Sequence, residues 1–139
     1  MDDSIDLPCS ASQVATARRF IDGQLIGCPL VDLAVLIVSE LATNVVRYSP
    51  ARHGGKFTVR VQTEPGWARI EVSTDGWEEW DAKAAMSDES AESGRGLGIV
   101  YSLSSNMGHS WDGERDTVWS ELQWAMSSDE PPAPAPSEL

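Results

Sequence analysis

The hydrophobic positions of the chain change their period several times, and each change marks an element. Over residues 11–27, Val14, Ala17, Phe20, Ile21 and Leu25 recur at three-to-four spacing, with Ser10 or Ser12 as an N-cap and Gly27 as a stop, which predicts an amphipathic helix. Residues 30–48 are apolar nearly all round at first, as in a helix packed between a sheet and other helices, and Pro50 ends them. Residues 56–63 alternate Phe57, Val59 and Val61 with Thr58, Arg60 and Gln62, and residues 67–73 alternate again through Ile70 and Val72. With Pro65 and Gly66 as the turn, these two strands predict a hairpin. Helical spacing returns at Leu97, Val100, Tyr101 and Leu103 and predicts a helix over 99–107. Two more strands are predicted at about 108–112 and 117–124, around a turn over 113–116. The order helix, helix, hairpin, loop, helix, hairpin predicts an α+β fold, a two-layer sandwich with one mostly antiparallel sheet and the helices on one face.

Residues 77–93 keep no period and are rich in Asp, Glu, Ser and Ala, which reads as a loop with a short helical piece. The last fifteen residues, 125–139, contain four prolines and no usable apolar pattern, and read as a disordered tail. One domain over 1–124 accounts for the rest, since 139 residues suit a single core.

Charge narrows the partners. Lys and Arg number 10 against 22 Asp and Glu, a net charge of −12, which disfavours phosphate backbones and anionic lipid and favours a basic or neutral protein. The acidic start MDDSIDLPCS lacks the basic and apolar regions of a secretory signal, and no apolar run reaches the roughly 18 residues of a membrane span. Cys9 and Cys28 have neither the number nor the spacing of a disulfide framework or zinc site, so two reduced thiols in the cytoplasm are expected.

The candidate chemistry begins on the second helix. Leu33, Ile37, Glu40, Asn44 and Arg47 share one stripe, which turns from apolar to polar halfway, and Glu40 and Asn44 are i,i+4 neighbours. A carboxylate and a carboxamide on an apolar helix need partners. A hard cation such as Mg²⁺ would take the Asn oxygen, with the Glu placed to orient or deprotonate a nucleophile. The same stripe also describes a helix end turned to water. Gly94, Arg95, Gly96, Leu97 and Gly98 precede a helix, where flexible backbone and free N–H groups suit an anion, or simply a loose loop. Asp75 and Gly76 follow a strand as a turn would. His53 and His109 are isolated and read as surface or turn histidines, while Trp77 and Trp80 in the acidic loop are candidates for docking a partner.

The order of these features carries a resemblance. GluLeuAlaThrAsn at 40–44, a strand ending at Asp75-Gly76, GlyArgGlyLeuGly at 94–98 and ThrValTrpSerGluLeu at 117–122 resemble the GHKL, or Bergerat-fold, ATPase superfamily. Within it, residues 39–49 and 117–122 look like the actinobacterial branch of anti-sigma-factor serine kinases. The resemblance implies ATP and Mg²⁺ as ligands, Asn44 as the metal ligand, Glu40 as the catalytic carboxylate and Arg47 near the phosphates. It implies that Gly94, Arg95, Gly96, Leu97 and Gly98 close over the phosphates, that 77–93 form the ATP lid, and that Thr117 lies beside the adenine. It further implies an ATP-dependent serine/threonine kinase of a protein antagonist, a regulator that sequesters a transcription factor, or both, and a homodimer.

The base-reading motif of the resemblance, Asp-x-Gly-x-Gly, is met incompletely. Aligned on Gly76, it puts Thr74 at the Asp and Glu78 at the second Gly, with Asp75 one place on. Successive strand residues face opposite ways, so Asp75 is expected to point away from the pocket unless the strand bulges. Seven acids against one lysine over 75–92 also oppose a triphosphate. A non-catalytic protein-interaction module with a degenerate nucleotide site is the alternative these residues leave open.

Overall fold

The computed structural model describes residues 1–75, 98 and 100–126. Expectations for the lid, for Gly76, for Gly94 to Leu97, for Trp77 and Trp80, and for the tail beyond 126 lie outside the described residues.

The first predicted helix is α1 (Gln13–Gln24), and Gly27 at φ 85° reverses the chain after it. The second is α2 (Val31–Tyr48), whose C-cap Ser49 is extended, as the residue before a proline must tend to be. Arg52 donates to the carbonyls of Tyr48 and Ser49 at 3.1 and 2.9 Å, satisfying acceptors that the helix end leaves over. Five strands form one antiparallel sheet: β1 (Asp2–Pro8), β2 (Lys56–Glu64), β3 (Trp67–Asp75), β4 (Asn106–Trp111) and β5 (Arg115–Gln123), in the spatial order β1-β2-β3-β5-β4. With α1 and α2 packed on one face, the architecture is the expected α+β sandwich.

Three features differ from the sequence pattern. β1 was not predicted, because only Ile5 and Leu7 of DDSIDLP are apolar. Long-range polar pairs hold it instead: Arg60 grips Asp2 at 2.9 and 2.7 Å, Thr58 donates to Asp6 at 2.6 Å, and the amino terminus reaches the Thr63 carbonyl at 3.1 Å. The predicted helix over 99–107 is shorter. Residues 98 and 100–103 are helical, but Ser105 N–H donates to the Glu121 carbonyl at 2.8 Å, and Asn106 already pairs with Glu121 in β4. Sheet pairing there overrides helical periodicity. Finally, the predicted turn over 113–116 is tighter, because Gly113 takes φ 98° and Asp112 accepts the N–H groups of Glu114 and Arg115 at 2.9 and 2.7 Å. Those bonds hold the Asp112 carboxyl below the ordinary carboxylate value. Arg115 and Asp116 therefore belong to β5.

The core fills the space between layers. Phe57, Val59 and Val61 of β2, Ile70 and Val72 of β3, and Val118 and Leu122 of β5 meet Ala17 and Ile21 of α1 and Ile37, Val38, Leu41 and Val45 of α2. Full burial of each large side chain contributes about 1.5–3 kcal/mol. Cys9 is buried and Cys28 half-buried, and both are free thiols; burial pushes the Cys9 thiol up. The other sheet face is polar: Arg69 bridges Glu71 at 2.7 Å and Glu121 at 3.0 Å while stacking 4.6 Å from the Trp119 ring centre. The Trp119 ring packs against Gly108, leaving no room for a Cβ there, whereas a Cβ on Gly23 of α1 meets nothing within 4 Å. Gly108→Ala is expected to lower the melting temperature, and Gly23→Ala to stabilise the fold by about 0.5–1 kcal/mol, both read by thermal denaturation.

Candidate functional site

The site is built on the second half of α2. Its first half packs through Ala34, Ile37 and Val38, which fixes the helix rigidly against the sheet. The same stripe then continues into Glu40, half-buried, Asn44, 1% exposed, and Arg47, exposed in the last turn. Both Asn44 side-chain atoms, Oδ1 and Nδ2, are buried and find no hydrogen-bond partner among the described residues. An orphaned amide of this kind costs about 1–3 kcal/mol. The helix end facing water is thus excluded as an account of Asn44, which points into the protein.

At the C-terminus of α2 the polar row continues into the sheet. Ser49, fully buried, accepts the Ala51 N–H at 3.1 Å and donates to the Thr74 hydroxyl across a long 3.4 Å. Thr74 is 1% exposed and faces the helices, in register with Phe57 on one side and Asp116 on the other. Asp75, as expected from the alternation, faces away: its side chain is 86% exposed and lies 3.7 Å from Arg115. Thr117 also sits on the face away from the helices, half-buried between Ser73 and Ser110, so the structure does not bring it to Thr74. Gly98 is helical and exposed.

The residue that the structure does bring to Thr74 is Asp116. It is 1% exposed, lies directly opposite Thr74, and its Oδ1 is 3.1 Å from His109 Nε2. His109 is consequently no surface or turn residue. It is a β4 residue on the helix side of the sheet, opposite Val118, with its side chain 19% exposed. The signal for Asp116 was present in the sequence. A period of two through Leu122, Ser120 and Val118 leads to it once β5 begins at Arg115 rather than beyond Asp116.

Residues 7–121 match the family described as the histidine kinase-like ATPase domain. The chain belongs to that family. A search of curated proteins finds no match to it. The matched segment runs from the end of β1 through α2 to β5, so it includes Glu40, Asn44, Thr74 and Asp116.

Among the described residues, no three His, Cys, Asp or Glu side chains form a metal cluster. Mg²⁺ commonly takes only one or two protein ligands and keeps waters and phosphate oxygens as its others. The buried carboxamide fits that role: its oxygen is a hard ligand, and its Nδ2 is a donor for an anion. Because the amide finds no hydrogen-bond partner among the described residues, Asn44→Leu is expected to leave the unliganded protein at least as stable as the wild type. Urea denaturation checks this; a loss of about 1–3 kcal/mol would mean that the amide has a structural partner.

Proposed function

We propose that the protein binds Mg-ATP and acts as a regulatory protein of the anti-sigma-factor type, phosphorylating a serine of a protein antagonist, sequestering a transcription factor, or both. The observation that carries the reading is the buried amide of Asn44, without a hydrogen-bond partner among the described residues and one helical turn from Glu40, inside a segment that belongs to an ATPase family. Asn44 and the phosphates would hold Mg²⁺, which supplies neutralisation of charge on the transferring group. Glu40 would orient the acceptor hydroxyl and take its proton as the γ-phosphoryl leaves ADP. Arg47 lies on the same stripe and offers positive charge to phosphate oxygens. A basic or neutral protein partner suits the net charge of −12, and a cytoplasmic site of action suits the free thiols. No helix among the described residues is long and apolar enough to cross a membrane.

One observation favours a second reading. Thr74 is buried and its hydroxyl is engaged with Ser49, a weaker base contact than a carboxylate would offer, as in an interaction module that has lost productive nucleotide binding.

Calorimetric titration with ATP and ADP, with and without Mg²⁺, separates the two. The first reading expects Mg²⁺-dependent binding that Asn44→Ala weakens at least about tenfold. Heat absent at millimolar nucleotide would overturn it and leave the interaction module. Where binding is found, Glu40→Gln is expected to keep it while lowering ATP turnover by about 10²–10⁴-fold.

A further inference from the structure

We infer that an apolar groove at one end of the sheet is the seat of the chain's own proline-rich segment 131–136, which folds back onto the domain it follows. The inference is independent of the nucleotide reading, because the groove lies where β2 turns into β3, at the end of β3 opposite Thr74.

The groove is a cavity of about 330 Å³ between the α1–α2 connection, the β2–β3 turn and the residues that follow β5. Ile26, Cys28, Pro29, Pro65, Trp124 and Met126 line it, and no charged side chain does. Its rim is apolar surface left to water: Ile26 is 84% exposed and Met126 57%. One exposed apolar side chain is ordinary. Two at the rim of one uncharged concavity, in a chain of net charge −12, mark a surface suited to apolar contact.

The course of the chain names the occupant. The Trp124 N–H donates to the Gly66 carbonyl at 3.0 Å, which pins the residues after β5 to the β2–β3 turn, and a Cβ added to Gly66 would meet Met126 Cγ at 3.3 Å. Met126, the last described residue, is therefore part of the groove wall, and residues 127–139 continue from its rim. Five residues of chain separate Met126 from Pro131, at most about 16–18 Å, so the proline-rich segment starts within reach of the groove.

The chemistry of the two surfaces agrees. Residues 131–136 read PPAPAP, with four prolines and no charge, and the acids Asp129, Glu130 and Glu138 flank them. Proline-dense segments dock in grooves walled by aromatic and apolar rings, because the proline ring is rigid and apolar and its ordering costs little entropy. Here the uncharged stretch meets the uncharged groove while the flanking acids stay in water, so docking desolvates no carboxylate. Tethering supplies the rest, since a short linker holds the segment at an effective concentration of about millimolar and fills a groove of weak intrinsic affinity.

Cys28 provides the probe. It is a half-buried free thiol in the groove wall, whereas Cys9 is buried and burial raises its thiol, so the two differ in reactivity towards an aromatic disulfide reagent. In the full chain carrying Pro131→Ser, Pro132→Ser, Pro134→Ser and Pro136→Ser together, Cys28 is expected to react at least about threefold faster than in the wild type, because the tethered occupant is lost. Peptide mass mapping assigns the modified thiol, and circular dichroism checks the fold. In nuclear magnetic resonance spectra of the same two proteins, the amides of Ile26, Gly27 and Gly66 and the Trp124 indole N–H are expected to shift, with the amides around Asn44 unmoved. Equal Cys28 rates, or groove resonances that do not move, would overturn the inference. Protection of Cys28 that disappears on dilution would overturn it as well, since the segment would then occupy the groove of a second copy. Absence of nucleotide binding, which would sink the reading of the Asn44 site, leaves this outcome unaffected.

Discussion

The register of β3 against β5 is the constraint on which the rest of this structure depends. Side chains alternate across a sheet, so the pairing Thr74 with Asp116 assigns every residue of both strands to a side. Val72, Ile70, Val118 and Leu122 turn inward to form the floor of the core, and Asp75, Arg115, Thr117 and Trp119 turn outward. A slip of one residue would exchange the two sets. It would bury Arg69, Glu71 and Glu121, which now pair on the outer face, and no compensating interaction in the core could absorb their charge. The short turn at Asp112 and Gly113 helps to fix this register by starting β5 at Arg115.

Against that floor, α2 serves two ends with one surface. Ile37, Leu41 and Val45 anchor it in the core, and the rigidity they impose holds Asn44 in place without a hydrogen-bond partner among the described residues. An orphaned amide lowers stability, and an apolar residue of similar shape would pack better. On the proposed reading, the amide is kept as a binding group at a cost in stability, a common pattern where a site conflicts with the fold. Asp116 is a second polar group withdrawn from water, with His109 of the next strand at its Oδ1.

Much of this was legible in the linear pattern. The alternation at Phe57, Val59 and Val61 and at Ile70 and Val72 gave the central hairpin, because buried apolar surface is the largest favourable contribution and it repeats with the period of the backbone. The stripe through Leu33, Ile37, Glu40 and Asn44 gave α2 and its polar half for the same reason. β1 was not legible, since its strand is held by Asp2, Asp6 and the amino terminus reaching residues distant in sequence, and local polarity alone reads as an exposed end. The end of the short helix after Val100 was hidden similarly, by pairing of Ser105 and Asn106 with Glu121.

The sequence by itself determined the α+β class, the two long helices, the hairpin and the segment around Asn44, because these follow from periodicity and from residue types within a few positions of one another. The tertiary structure decided which polar residues meet. It turned Asp75 to solvent, set Thr117 on the outer face and placed Asp116 opposite Thr74 with His109 at its carboxylate, although Asp116 and Thr74 are far apart along the chain. Strand pairing is a long-range choice, made by the packing of the whole sheet against its helices, and a single residue of offset reverses which side chains face the site.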